Sequence, residues 1–178
     1  MVATASELSV ANQTEREIHA AIHWYLRAWE NSPLHTMPDV LVQLKTSLEA
    51  LSGRSKSQDG VKILRTRYAE AALALGSGAL LWTGEETLYE RTTSWGDTQK
   101  LPAFEHWFWD FTETRNRIVH DTLEPDMDYE LEGSPFAGNI FRVADRVCRE
   151  LIRVSLSRLG RPNLLMRNSA LRIDELLE

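Results

Sequence analysis

The stretch of this sequence best equipped for chemistry is 114–121, Thr-Arg-Asn-Arg-Ile-Val-His-Asp, where two arginines, an asparagine and a histidine fall within six residues. On a helix, at about 100° per residue, Asn116 and His120 are roughly 40° apart and share a face. Arg115 is about 140° from His120, but its long side chain reaches round a last helical turn. Ile118 and Val119 point inward and hold that turn against a core. A helix C-terminus favours a cationic side chain, and imidazole exchanges protons near neutral pH. An imidazole beside a guanidinium suits phosphodiester cleavage without a metal: one group moves a proton, and the other offsets charge on the phosphoryl oxygens. The plainer alternative is an ordinary C-terminal histidine capped by Asp121, and the pattern alone leaves both open.

Other constellations carry less. Glu17, His19 and His23 place two histidines at i, i+4, a spacing that can hold zinc, but no cysteine or clear third ligand follows, so no metal is expected. His106 and Asp110 are also i, i+4, which suits either a surface pair or a hydrogen bond on the cleft side. Six tryptophans read mostly as core. Trp107 and Trp109, about 200° apart on a helix, cannot both face inward, so one is expected near the cleft, for dimer contact or base stacking. There is no Gly-rich phosphate loop and no nucleotide-binding βαβ unit, so no cofactor is expected.

Charge is segregated. The 178 residues carry 26 acidic and 20 basic side chains, a net charge of −6, and residues 121–132 alone hold six acids and no Lys or Arg. The rest of the chain therefore sums to zero, and the acidic average does not argue against a nucleic-acid partner. Arginine fills 16 of the 20 basic positions. Arg142, Arg146, Arg149 and Arg153 recur at i, i+4, i+7 and i+11, one face of a helix. That row is either a solvated helix face or an anion-facing surface, since the guanidinium fork suits phosphate.

Elements of helical period must position these residues. Apolar spacing predicts helices over 7–30, 38–51, 61–75, 79–93, 102–119, 136–159 and 164–177, with a loop over 53–60 and very little strand. The stripes are Ile18, Ala21, Ile22, Tyr25 and Trp29; Val40, Leu41, Leu44, Leu48 and Leu51; Val61, Leu64 and Tyr68; Phe104, Trp107, Phe108 and Phe111; and Val143, Val147, Leu151 and Val154. Pro102 suits a first helical turn. The fold class expected is an all-α bundle of about six or seven helices in a single domain, 1–178. With 43% apolar residues, nine glycines and one cysteine, disordered, collagenous and disulfide-stapled classes are excluded. Cys148 reads as a small buried hydrophobe. Absence of a signal-peptide pattern or a bilayer-length apolar run predicts a cytoplasmic protein with no membrane partner.

The string Arg115-Asn116-x-x-x-His120 resembles the signature of the HEPN superfamily of helical RNases: Arg, a polar residue, a short spacer, then His. Leu48-Glu49-Ala50-Leu51, the helix with Arg65, Arg67 and 71–75, and the Arg-Asn-Arg-Ile-Val-His segment are similar to the ApeA-like subgroup, over about 38–160. The resemblance implies a metal-independent endoribonuclease, of the kind that serves in toxin or phage-defence roles, in which the ribose 2′-hydroxyl attacks the adjacent phosphate. It implies that His120 is the general acid/base, that Arg115 stabilises phosphoryl charge and that Asn116 orients His120 or the phosphate. Arg117, Arg142, Arg146, Arg149 and Arg153 are then candidate substrate-binding residues. It also implies an RNA substrate, an isologous homodimer and, in some settings, a protein inhibitor or effector. Thr122 stands where the toxins paired with a nucleotidyltransferase antitoxin carry tyrosine, which puts adenylylation in doubt. Non-catalytic HEPN domains that bind a nucleotide or serve as scaffolds form the alternative class. A third is a helical protein that binds partners through 121–132.

Overall fold

The computed structural model describes residues 5–30, 36–53, 58–75, 87–93, 96–120 and 140–160, with side chains omitted for 5–12 and 71–75. The described elements are α1 (Ala5–Ala28), α2 (Met37–Ser52), α3 (Gln58–Leu75), β1 (Leu88–Thr92), β2 (Thr98–Pro102), α4 (Ala103–Val119) and α5 (Ile140–Arg158). The molecule is mostly helical, and none of the described helices is long and apolar enough to cross a membrane. Among the described residues there are five helices and one hairpin, where six or seven helices are expected over the whole chain. The segments at 121–132 and 164–177 lie outside the described residues.

The helix expected over 79–93 is corrected at its C-terminal end, its first part at 79–86 lying outside the described residues: 88–92 is a strand, paired antiparallel with 98–102 in the register Leu88↔Pro102, Glu90↔Lys100 and Thr92↔Thr98. Its composition explains why. Tyr89 and Arg91 alternate with the exposed Leu88, Glu90 and Thr92, a period of two, and Thr92, Thr93 and Thr98 are β-branched. Glu90 opposite Lys100 is a favourable cross-strand pair. The turn closes through Thr93 N–H to the Asp97 carbonyl at 2.8 Å, and Gly96 takes φ +88°, open to glycine without strain. Helix α3 begins at Gln58, inside the expected loop, and Pro102 ends β2 as the N-cap of α4 rather than entering its first turn.

Helix α2 lies centrally, in contact with α1, α3, α4 and α5. Asp39 caps its start, accepting from the Thr36 backbone N–H at 2.8 Å and the Thr36 hydroxyl at 2.7 Å. The expected stripe of Val40, Leu41, Leu44, Leu48 and Leu51 is buried, as are Ile18, Ala21 and Tyr25 of α1. Ser47 donates to the Ala21 carbonyl at 2.8 Å, so two small residues let α1 and α2 approach closely.

Helix α5 buries Val143, Val147, Leu151 and Val154, and Cys148 is a free, fully buried thiol whose pKa burial pushes up. Two phenol–carboxylate bonds reach across the core. Tyr25 donates to Asp145 at 2.7 Å, and Tyr68 donates to the buried Glu150 at 2.6 Å. Arg149 and Arg146 neutralise those carboxylates from one helical turn away, at 2.5 and 2.9 Å.

Gly53 ends α2 in the left-handed region at φ +65°, and a Cβ there would meet Glu17 Oε1 at 2.5 Å. Glu17 in turn accepts from Arg67, which also donates to the Leu51 carbonyl. Gly53→Ala is expected to cost at least about 1–2 kcal/mol, lowering Tm by roughly 2–8 °C in a thermal melt. Tyr68→Phe removes a donor from buried Glu150 and is expected to cost about 1–3 kcal/mol in urea unfolding with an unchanged m-value.

Candidate functional site

Helix α4 serves three environments at once. At about 100° per residue, Phe104, Trp107, Phe111, Thr114 and Ile118 fall on one face, and all five are buried. Trp107 and Phe111 stack with centroids 5.3 Å apart and planes at 4°, a contact worth about 0.5–1.5 kcal/mol beyond its area. Val119, expected inward beside Ile118, is only half-buried. About 115° round the helix, His106, Asp110 and Glu113 face the hairpin. On the remaining side Phe108, Trp109, Thr112, Arg115, Asn116 and His120 line a cleft.

The hairpin face is a buried ionic latch. Arg91, 7% exposed, donates through Nε to Asp110 at 2.7 Å and through Nη2 to Glu113 at 2.6 Å. His106 Nδ1 lies 2.8 Å from Asp110 Oδ2, and Nε2 lies 3.2 Å from the Glu90 carbonyl oxygen. The expected surface or cleft-side pair of His106 and Asp110 is corrected: His106 is buried under β1 with Asp110 half-buried beside it, and neither lines the cleft. Arg65 of α3 adds a bond to Glu105 at 3.3 Å, about 105° round the helix from that face.

The cleft has a volume of about 430 Å³ and lies between α4, the C-terminal half of α2 and the start of α3. Lys45, Glu49 and Ser52 line it from α2, at i, i+4 and i+7, and Gly60, Val61 and Leu64 from α3. All three residues of the Arg-Asn-His motif enter this one cleft. His120 caps α4, its backbone N–H donating to the Asn116 carbonyl at 3.0 Å, and its side chain is exposed. Arg115 donates through Nη1 to Asn116 Oδ1 at 2.8 Å. Its Nε and the Thr112 Oγ1 are buried and without a hydrogen-bond partner among the described residues, an unfavourable state that a polar ligand would relieve.

Lys45 and Glu49 form an ion pair at 2.6 Å, with side chains only 10% and 20% exposed. Neither residue, nor Thr112, was indicated by the apolar stripes. The signal was the second stripe, 45-49-52, running beside the apolar one on α2. Of the two tryptophans, Trp107 is fully buried and Trp109 half-buried at the cleft.

The remaining candidates lie elsewhere. Arg117 is exposed on the last turn of α4. Arg142, Arg146, Arg149 and Arg153 are on α5, and none lines the cleft. Arg146 and Arg149 are engaged with Glu150 and Asp145. His19 is 67% exposed beside Glu15, and Glu17 is held by Arg67 rather than by the histidines. The acidic segment 121–132, which follows His120 directly, lies outside the described residues. The chain matches no family model, no curated protein and no solved structure.

Burial pushes the Asp110 carboxyl up, but the hydrogen bonds from His106 and Arg91 outweigh that and hold its pKa below the ordinary 3.8. A lowered carboxylate contributes stability above its unfolded value, lost as pH falls through the lower folded one. Amide exchange of 88–92 and 98–102 is therefore expected to speed up, relative to the core of α2, only below about pH 4. Asp110→Asn should abolish that acid dependence, and an unchanged profile would refute the latch.

Proposed function

We propose that this cleft is the active site of a metal-independent endoribonuclease of the HEPN kind. The observation that carries the reading is the convergence of Arg115, Asn116 and His120 on one cleft beside an aromatic side chain. An imidazole and a guanidinium on a common wall provide a proton carrier and a charge stabiliser for transphosphorylation.

In the proposed reaction the ribose O2′ attacks the adjacent phosphorus. The O2′–P bond forms as the P–O5′ bond breaks, which leaves a 2′,3′-cyclic phosphate and a 5′-hydroxyl. His120 takes the 2′-hydroxyl proton or returns one to the leaving O5′. Two copies of His120, one from each protomer of a homodimer, would allow one imidazole for each transfer. Arg115 exchanges its bond to Asn116 for the phosphoryl oxygens, and Asn116 then orients the ring or the phosphate. Arg117, Arg142 and Arg153 are assigned to RNA backbone contacts outside the cleft, and Arg146 and Arg149 to such contacts only through N–H groups not bound to Glu150 and Asp145. Cleavage of cellular RNA in this manner fits a toxin or phage-defence effector.

Cleavage of total RNA in EDTA is expected from the wild type, with 2′,3′-cyclic phosphate ends. His120→Ala should lower the rate by about 10²–10⁴-fold at unchanged Tm. Equal cleavage by the two proteins removes the nuclease. Nucleotide binding without cleavage by either assigns the cleft to a non-catalytic binding module instead.

A further inference from the structure

We infer that the Lys45–Glu49 pair reads a guanine base, which makes guanosine the preferred nucleoside of the cleft. The inference rests on the reading above in so far as a nucleotide occupies this site. The pair faces the cleft from α2, across from the wall that carries Arg115 and His120. Its groups sit 2.6 Å apart and largely out of solvent, so whatever enters meets an ammonium next to a carboxylate.

Among the four RNA bases, guanine meets that juxtaposition most fully. Guanine presents an acceptor, O6, followed by two adjacent donors, N1–H and N2–H. A carboxylate accepts both donors together, and an ammonium bound to that carboxylate keeps two further N–H groups, one of which reaches O6. Adenine and cytosine offer one amino group beside a ring-nitrogen acceptor, so they pair with the ammonium and only one carboxylate oxygen. Uracil has a single N–H between two carbonyls.

The rest of the cleft fits a nucleotide around such a base. Phe108 and Trp109 supply aromatic surface, and base stacking on an aromatic side chain is a recurrent source of affinity. The unpartnered Thr112 hydroxyl can donate or accept at the ribose, and the Arg115 Nε–H can donate to phosphate. A volume of about 430 Å³ is within the range of small-ligand pockets, about 300–1,000 Å³.

Calorimetric titration of the full chain with GMP, AMP, CMP and UMP tests this. GMP is expected to bind at least about tenfold more tightly than the others. Inosine monophosphate, which lacks the N2 amino group, should bind more weakly than GMP. Glu49→Gln, which replaces an acceptor oxygen by a donor, should bring GMP to the level of AMP. Equal affinity for the four nucleotides, no binding of any, or GMP no tighter than inosine monophosphate overturns the inference. A GMP preference that survives in a folded Glu49→Gln variant overturns it too, and the inosine comparison needs no variant. Preference for GMP without RNA cleavage leaves this inference standing while the nuclease fails, and cleavage without base preference does the reverse.

Discussion

The rotational setting of α4 is the constraint on which the site depends. One 17-residue helix has an apolar face, a face of one histidine and two carboxylates, and a polar face with the motif. A roll of about 100° would drive Asp110 or Arg115 into the core, and an unpaired buried polar or charged group is strongly unfavourable. The Trp107–Phe111 stack holds the first face and Arg91 the second. Because Arg91 is itself buried, it requires both carboxylates, and they require it. What remains is the cleft face, whose direction follows from the other two.

Helices α2 and α3 form the opposite wall. The close α1–α2 approach through Ser47 and Ala21 leaves the other flank of α2, with Lys45, Glu49 and Ser52, turned to the cleft. Residues of α3 are tied back by Arg67 to the end of α2 and by Tyr68 to α5. The cleft is therefore bounded by helices whose own positions are set by buried polar bonds rather than by apolar packing alone. Such bonds specify partners by geometry, which apolar contacts do poorly.

The arginine row on α5 illustrates how one pattern supports two readings. Its i, i+4 spacing is helical, but Asp145 and Glu150 have the same spacing to Arg149 and Arg146. Those carboxylates also take the Tyr25 and Tyr68 hydroxyls, so part of the row balances charge that α5 buries against α1 and α3. Where the acids do not come into view, as in a count of arginines alone, the row looks like a free basic face.

Periodicity of 3.6 determined most of the helices and their buried stripes, because an apolar residue on a regular helix has one face on which to be buried. Val40 to Leu51 and Val143 to Val154 were legible in that way, as was the composition of the Arg-Asn-His motif. The strand at 88–92 was not, since a five-residue element has too few repeats to separate a period of two from one of 3.6. Nor was the cleft. Lys45, Glu49, Thr112 and His120 come from helices distant in sequence, and their proximity is set by how α2 and α4 cross. The His106–Asp110 pair makes the same point: the spacing placed them together, but only the docking of β1 with Arg91 decided that they are covered by the hairpin. Residue spacing within one helix is a local property of the chain, whereas the meeting of two helix faces depends on the packing of the whole core.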